Sequence, residues 1–345
     1  MYTKKSHSCL YRIMLFAFVC ACVKNIQAQD IHFSNWQMSP LNLNPANAGM
    51  YDGEGRLIFN YRNQWKQVPV PYNTFSFGAD LKLNKPIIKG TDEAIGFILN
   101  TDIAGDGSYT ITDIRIPLSQ QFSFKKDTTL KLSFGLVAGI TNLNITSSRL
   151  SYDKQWDGDA YNQALSNGEN MPKQSKMYGD VSLGTVLQKK FTPKIKATVG
   201  YAIHHLNRPN ISFNNTPGAL LRIKHNESLQ LKYSFNQVSA FMFEYYGAQQ
   251  QKFREHVLGL SYYHTISPRK NTVFNVGVLT RLKDALITTV GLEHQNMRLQ
   301  LSYDYNYSQF KRATNGRGGF ELSFIYIWAT PKTFVPKTRV CPIYM

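Results

Sequence analysis

The chain of 345 residues is 43% hydrophobic and 13% aromatic, with 20 Tyr, 21 Phe and a formal charge of +17. A mean hydropathy of −0.31 excludes a bundle of membrane helices, which needs apolar runs of about 20 residues, but not a barrel whose strands interleave apolar and polar residues. The length accommodates one large β domain or two ordinary ones.

The first residues have the build of an export signal. Lys4, Lys5 and Arg12 precede the apolar stretch 13–23, and Ile26-Gln27-Ala28 forms a cleavage site before Gln29. A lipoprotein signal acylated at Cys22 fits less well, because Cys20 suits that motif poorly. Loss of 1–28, with its four basic and no acidic residues, leaves a charge of +13. That charge is scattered through turns and polar strand faces, with no basic helix or aromatic-interleaved basic stripe, so nucleic acid is not an expected partner. Three of the four cysteines lie in the signal, and Cys341 alone can form neither an internal disulfide nor a cysteine-based zinc site.

Residues 29–54 carry turn formers (Pro40, Pro45, Gly49, Gly53) and no sustained period, and read as an irregular lead-in at or inside a barrel end. Strand patterns then follow almost without interruption. The first covers 55–65, with Leu57, Phe59 and Tyr61 opposite Arg56, Asn60 and Arg62; the second covers 72–83 and the third 93–103. The fourth, 109–124, blurs near Asp113 and Arg115, and the fifth, 128–142, sets Leu130, Leu132, Phe134 and Leu136 opposite Lys131, Ser133 and two glycines. Next come 176–189, 194–206, 226–236, 238–248, 252–265, 271–282 and 285–295. The clearest pattern is 297–309, where Leu299, Leu301, Tyr303, Tyr305 and Tyr307 alternate with Gln300, Ser302, Asp304, Asn306 and Ser308. Successive strand side chains point to opposite faces, so this stretch has one greasy, tyrosine-rich face and one polar face. The last strand, 318–329, ends in Phe324, Tyr326 and Trp328, and a tail of 331–345 follows.

Fourteen strands is an even number, as single-chain bacterial barrels require. Connections after even-numbered strands are mostly tight (125–127, 190–193, 237, 266–270, 296), while those after odd-numbered strands include the long 143–175 and 207–225 and the Gly-rich 310–317. The long link 84–92 and the short one between strands eleven and twelve depart from this trend. Strands of 11 to 16 residues are far longer than the roughly 5–6 of soluble sheets. The reading is therefore an all-β transmembrane antiparallel barrel over 55–330 rather than a secreted sandwich. Arg56, Arg62, Asp80, Lys82, Lys131, Lys232 and Glu244 should face a lumen that is either an aqueous pore or plugged.

The search for chemistry is lean. His204 and His205 are adjacent and, on one strand, should point to opposite faces, which disfavours a shared metal. His256, His264 and His294 are isolated, and neither a His-Glu-x-x-His nor a Gly-x-Ser-x-Gly motif occurs. Asp153, Asp157 and Asp159 read as turn chemistry in preference to a calcium loop. No catalytic set, metal site or cofactor is expected. Trp156, Asp157, Asn210 and Phe213, in the two long loops, are the candidate partner contacts.

The mature N-terminus carries Gln29-Asp30, Phe33-Ser34, Pro40, Leu43-Asn44-Pro45-Ala46 and Ala48-Gly49, followed by Tyr61-Arg62-Asn63-Gln64-Trp65. With Gly318-Gly319-Phe320-Glu321-Leu322-Ser323 and a tail near Cys341-Pro342, this pattern resembles the PorP/SprF family of Bacteroidetes from end to end of the mature chain. Asn47 stands where that family usually carries an aromatic. The resemblance implies an outer-membrane component of the type IX secretion system, with outer-membrane lipid and other secretion components as neighbours. It also implies secreted partners that carry a C-terminal targeting domain, often large gliding adhesins, and it brings no catalytic residues. Asn44, Pro45, Ala46, Gly49, Tyr61, Arg62, Gln64 and Trp65 are its motif positions. A structural role suits them, with Arg62 and Trp65 tying the lead-in to a barrel end. A fourteen-strand transporter of the fatty-acid type, which also has an Asn-Pro-Ala hatch, is the competing reading, and a continuous apolar tunnel would mark it.

Overall fold

A computed structural model describes residues 31–64, 72–105, 107–124, 127–146, 150–168, 174–214, 216–308 and 311–329. The signal 1–28, Trp65 and the tail 331–345 with Cys341 lie outside the described residues.

Fourteen strands follow one another as β1 (Gly55–Gln64), β2 (Tyr72–Lys82), β3 (Thr91–Ala104), β4 (Tyr109–Phe124), β5 (Asp127–Asn144), β6 (Ser175–Thr192) and β7 (Ile195–His204), then β8 (Lys224–Ser234), β9 (Ser239–Gln250), β10 (Phe253–Ser267), β11 (Thr272–Arg281), β12 (Ala285–His294), β13 (Met297–Asn306) and β14 (Arg317–Trp328). Each pairs antiparallel with its chain neighbours, and β14 returns to β1 with Phe324 opposite Phe59, which closes the ring. Closure leaves no open edge, and it satisfies the backbone of every strand within the wall. The turn end of the barrel holds the start of β1, the finish of β14 and the connections after even-numbered strands. The loop end holds 150–168, 205–214 and 216–223.

The wall sorts its side chains by parity. On β13, Leu301 and Tyr303 are each 42% exposed on the outside, while Asp304 is 2% exposed on the inside. Phe59, Phe77 and Phe97 stand side by side across β1, β2 and β3 on the outer face. β4, whose alternation is hard to read in sequence, is regular through its middle. Ile114, Ile116 and Leu118 point out, Asp113 and Arg115 form an ion pair, and Asp113, Ser119 and Gln121 are buried inside.

One expectation fails. His204 ends β7, and His205 leaves the strand at φ +61°, so the two imidazoles do not fall on opposite faces. Both are buried, with ring centroids 6.2 Å apart. His205 Nδ1 lies 2.9 Å from Asp180 and His204 Nε2 lies 3.0 Å from Asn226. A residue in the left-handed region reverses the side-chain parity that an extended chain would impose.

Parity makes a direct prediction. Leu301→Arg on the outer face should cost the barrel about 2–4 kcal/mol when it is embedded in lipid. Ser302→Ala, which removes a buried hydroxyl with no hydrogen-bond partner among the described residues, should be nearly neutral. Urea unfolding in lipid vesicles, followed by tryptophan fluorescence, separates the two.

Candidate functional site

Inside the ring lies the segment that precedes β1. Its local structure is a 3-10 turn at Trp36–Met38, a four-residue helix α1 (Pro40–Leu43) and a second 3-10 turn at Pro45–Asn47. Pro40 and Pro45 occupy first-turn positions, where a missing N–H costs nothing, and the Asn44 side chain accepts from Ala46 N–H as a cap (2.9 Å). The segment runs from the loop end at Ser34 to the turn end at Tyr51.

Carboxylates on the lumen wall hold it at both ends. At the loop end, Ser34 N–H and Asn35 N–H donate to Glu321 of β14 (2.9 and 3.2 Å), and Ser34 Oγ donates to Asp304 of β13 (2.6 Å). Arg281 of β11 donates to Ser34 Oγ (2.7 Å) and reaches Glu255 (2.9 Å), Asp284 (3.0 Å) and Asp304 (3.3 Å). Arg62 of β1 joins the same Asp304 at 3.2 Å. Midway, Gln37 bonds Glu244 of β9, which also accepts from Ser261 (3.0 Å). At the turn end, Asp80 of β2 accepts from Gly49 N–H (2.7 Å) and takes both Nε and Nη2 of Arg56 (2.9 Å each). The Tyr51 phenol donates to the Asp80 carbonyl (2.8 Å), and burial, then the Asp80 charge, raise its pKa above the ordinary value.

Between these anchors the contacts are apolar and close. Trp36 stacks on Tyr246 (centroids 5.9 Å apart) beside Val257, Leu279 and Ile287. Met38, Leu41 and Ala48 pack on Ile58, Ile98 and Ile325. Asn44 Nδ2 donates to the strand carbonyls of Thr185 (3.0 Å) and Tyr201 (3.1 Å), and Ser133 and Ser119 donate to the carbonyls of Ala46 and Ala48 (2.7 Å each). Two strand glycines make room for this approach. A Cβ at Gly135 would lie 2.2 Å from Ala46 N, and one at Gly184 would lie 2.0 Å from Asn44 Oδ1.

The motif residues read from sequence thus divide. Asn44, Pro45, Ala46, Gly49 and Arg62 meet in the lumen, whereas Tyr61 faces outward at 41% exposure and Gln64 sits at the loop end of β1. Sequence reading missed Ser34, Gln37, Asp304, Arg281 and Glu321 as fastenings. For Arg281, Asp304 and Glu321 the signal is a charged residue at lumen parity, whereas Ser34 and Gln37 lie in the irregular lead-in, where parity gives none. At the loop end, Trp156 is 58% exposed and bridges to Tyr161. The Asp157 carboxylate accepts from the N–H groups of Asp159 (3.0 Å) and Ala160 (2.9 Å), which lowers its pKa. Asn210 bridges to Leu220, and Phe213 is half-buried.

A closed fourteen-strand barrel with a charged, filled lumen defines a β-barrel membrane protein. The family model described as "Type IX secretion system membrane protein PorP/SprF" matches residues 25–326, and the chain belongs to that family. A search of curated proteins finds no match. Among solved structures, the chain is similar to the Ralstonia pickettii toluene transporter TbuX (9% identity, 84% of this chain and 93% of that one, TM-score 0.49). The CymD monoaromatic hydrocarbon channel (12%, 85% and 93%, 0.49) and the P. putida toluene transporter TodX (9%, 83% and 93%, 0.48) are comparable.

Asp304→Ala strips a shared acceptor from two buried guanidinium groups and should destabilise the barrel by about 3–5 kcal/mol. Gly135→Leu should displace the lumen segment while leaving the wall intact. Planar-bilayer recording is then expected to register higher conductance for the Gly135→Leu protein than for the parent.

Proposed function

We propose that this protein is an outer-membrane barrel of the type IX secretion apparatus, exported with a cleaved signal. In this reading it holds and helps to export a partner protein that bears a C-terminal targeting domain, such as a surface adhesin of a gliding cell. Family membership supports the apparatus. The observation that carries the reading is the occupied lumen. Backbone and side chains of 34–51 are fastened to buried carboxylates of β2, β9, β13 and β14, so the barrel is built as a rigid holder. Transport of hydrophobic small molecules would call for an apolar path. The cavity beneath the segment is instead lined by Lys196, Lys232, Arg298, Gln188, Gln230 and Glu293 among others, groups that an apolar solute would have to desolvate.

The partner surface in this reading is the loop end. There Trp156 with Tyr161 (44% exposed) and Leu165 (39% exposed) offer a patch on loop 150–168, and Trp and Tyr are among the side chains that dominate protein interfaces. Trp156→Ala should weaken capture of the partner's C-terminal domain by about tenfold or more, ~1.4–2 kcal/mol. Deleting the gene should strand that partner inside the cell. Surface labelling with whole-cell proteomics reads both effects, and unchanged display of every surface adhesin in the deletion strain would remove the reading.

A further inference from the structure

The barrel register sets like charges beside one another at the turn end. Lys190 of β6 lies directly opposite Lys196 of β7, and Lys196 lies directly opposite Lys232 of β8. All three are at lumen parity, shared with the buried Val186 of β6. Like charges directly opposite in neighbouring strands are destabilising; none of the three forms an ion pair with a carboxylate among the described residues, although the Asp52 charge acts on Lys196. Lys232 rests 5.4 Å from the Tyr263 ring. Across the mouth, Arg298 stands near Glu293 (3.6 Å).

Lys196, Lys232 and Arg298 share a cavity of about 350 Å³, roofed by Gln37, Met38 and Asn47 of the lumen segment and bordered by Asp52. Its volume lies at the small end of the roughly 300–1,000 Å³ typical of ligand pockets. The mouth opens at the end where the turns carry Lys85, Lys89, Lys194, Arg269 and Lys270, so the surrounding field is positive as well. Lysines on the outer rim of the turns can meet lipid headgroups. Those of the row point into the ring of strands, out of reach of the bilayer, so their counter-ion arrives from water. A bare inorganic ion would leave most of the cavity unused. The side-chain amides of Gln37, Gln188 and Gln230, with the apolar Met242, Ile325 and Ile327, suit a peptide backbone and the stems of its acidic side chains.

We infer that the turn-side mouth is an anion-binding vestibule that takes a carboxylate-rich peptide segment of a water-borne protein partner. The site lies at the opposite end from loop 150–168 and stands whatever those loops hold.

The test uses the full barrel in detergent and a fluorescent hexaglutamate peptide, read by anisotropy at low ionic strength. The peptide should bind the parent, and Lys196→Gln/Lys232→Gln should weaken it about tenfold (~1.4 kcal/mol). Lys85→Gln/Lys89→Gln, which removes the same charge outside the ring, should leave binding unchanged. Lys196→Arg/Lys232→Arg should retain it. Relief of the like-charge row should also make the glutamine pair unfold at higher urea than the parent, a gain that a residue kept only for structure would not give. Three results would overturn the proposal: no binding of hexaglutamate, equal weakening by both glutamine pairs, or displacement of the peptide by an equimolar amount of inorganic phosphate.

Discussion

A carboxylate enclosed by a protein wall needs donors, and this barrel's interior is organised by that requirement. Asp80, Asp304 and Glu321 are each no more than 2% exposed. Water cannot serve them, and an ionised group without partners there would be prohibitive. Arginines from β1 and β11 supply part of the need, and backbone N–H groups of Ser34, Asn35 and Gly49 supply the rest. The lumen segment is therefore a component of the wall's own electrostatics. Its helical turns, its prolines and the strand glycines that admit it follow from having to deliver those donors at both ends of the ring.

The wall was legible in the sequence because one physical rule governs it. Lipid outside and a packed lumen inside impose a two-residue period, and strands such as β1, β4 and β13 begin and end within a few residues of where that period starts and stops. β4 was harder because an ion pair sits at its centre, and a charged pair at lumen parity looks like broken alternation when only hydrophobicity is followed. His205 was misread because parity holds only for extended backbone, and one positive φ cancels it. The fastenings of the lumen segment were not legible as partners. Ser34 and Glu321 are separated by 287 residues, and no local pattern carries a contact that only ring closure creates. The family motif marked Asn44 and Arg62, but periodicity offered no account of why those side chains mattered.

The two ends of the barrel differ in how they treat charge. At the loop end cations and anions are interleaved and paired, as around Arg281, which touches Glu255, Asp284 and Asp304. At the turn end Arg56 is paired with Asp80 and Arg298 stands near Glu293, but beside them lysines confront lysines. Paired charges give rigidity to the fastening, while an unpaired row stores a repulsion that an incoming anion relieves. The loop-end rim thus carries paired charges throughout the fastening, while the turn-end rim mixes pairs with an unpaired row.

Closure of β1 on β14 has a further consequence, for biogenesis. The lumen segment lies ahead of the first strand and is translated before any of the wall, yet it is held by Asp304 and Glu321 from the last two strands. The fastenings of this thread at the loop end are therefore complete only once β13 and β14 stand in the ring. The strand that completes the seam also brings a carboxylate that secures the thread. Contacts spanning nearly the whole chain form slowly. Until they do, the nascent protein offers an unpaired β1 edge.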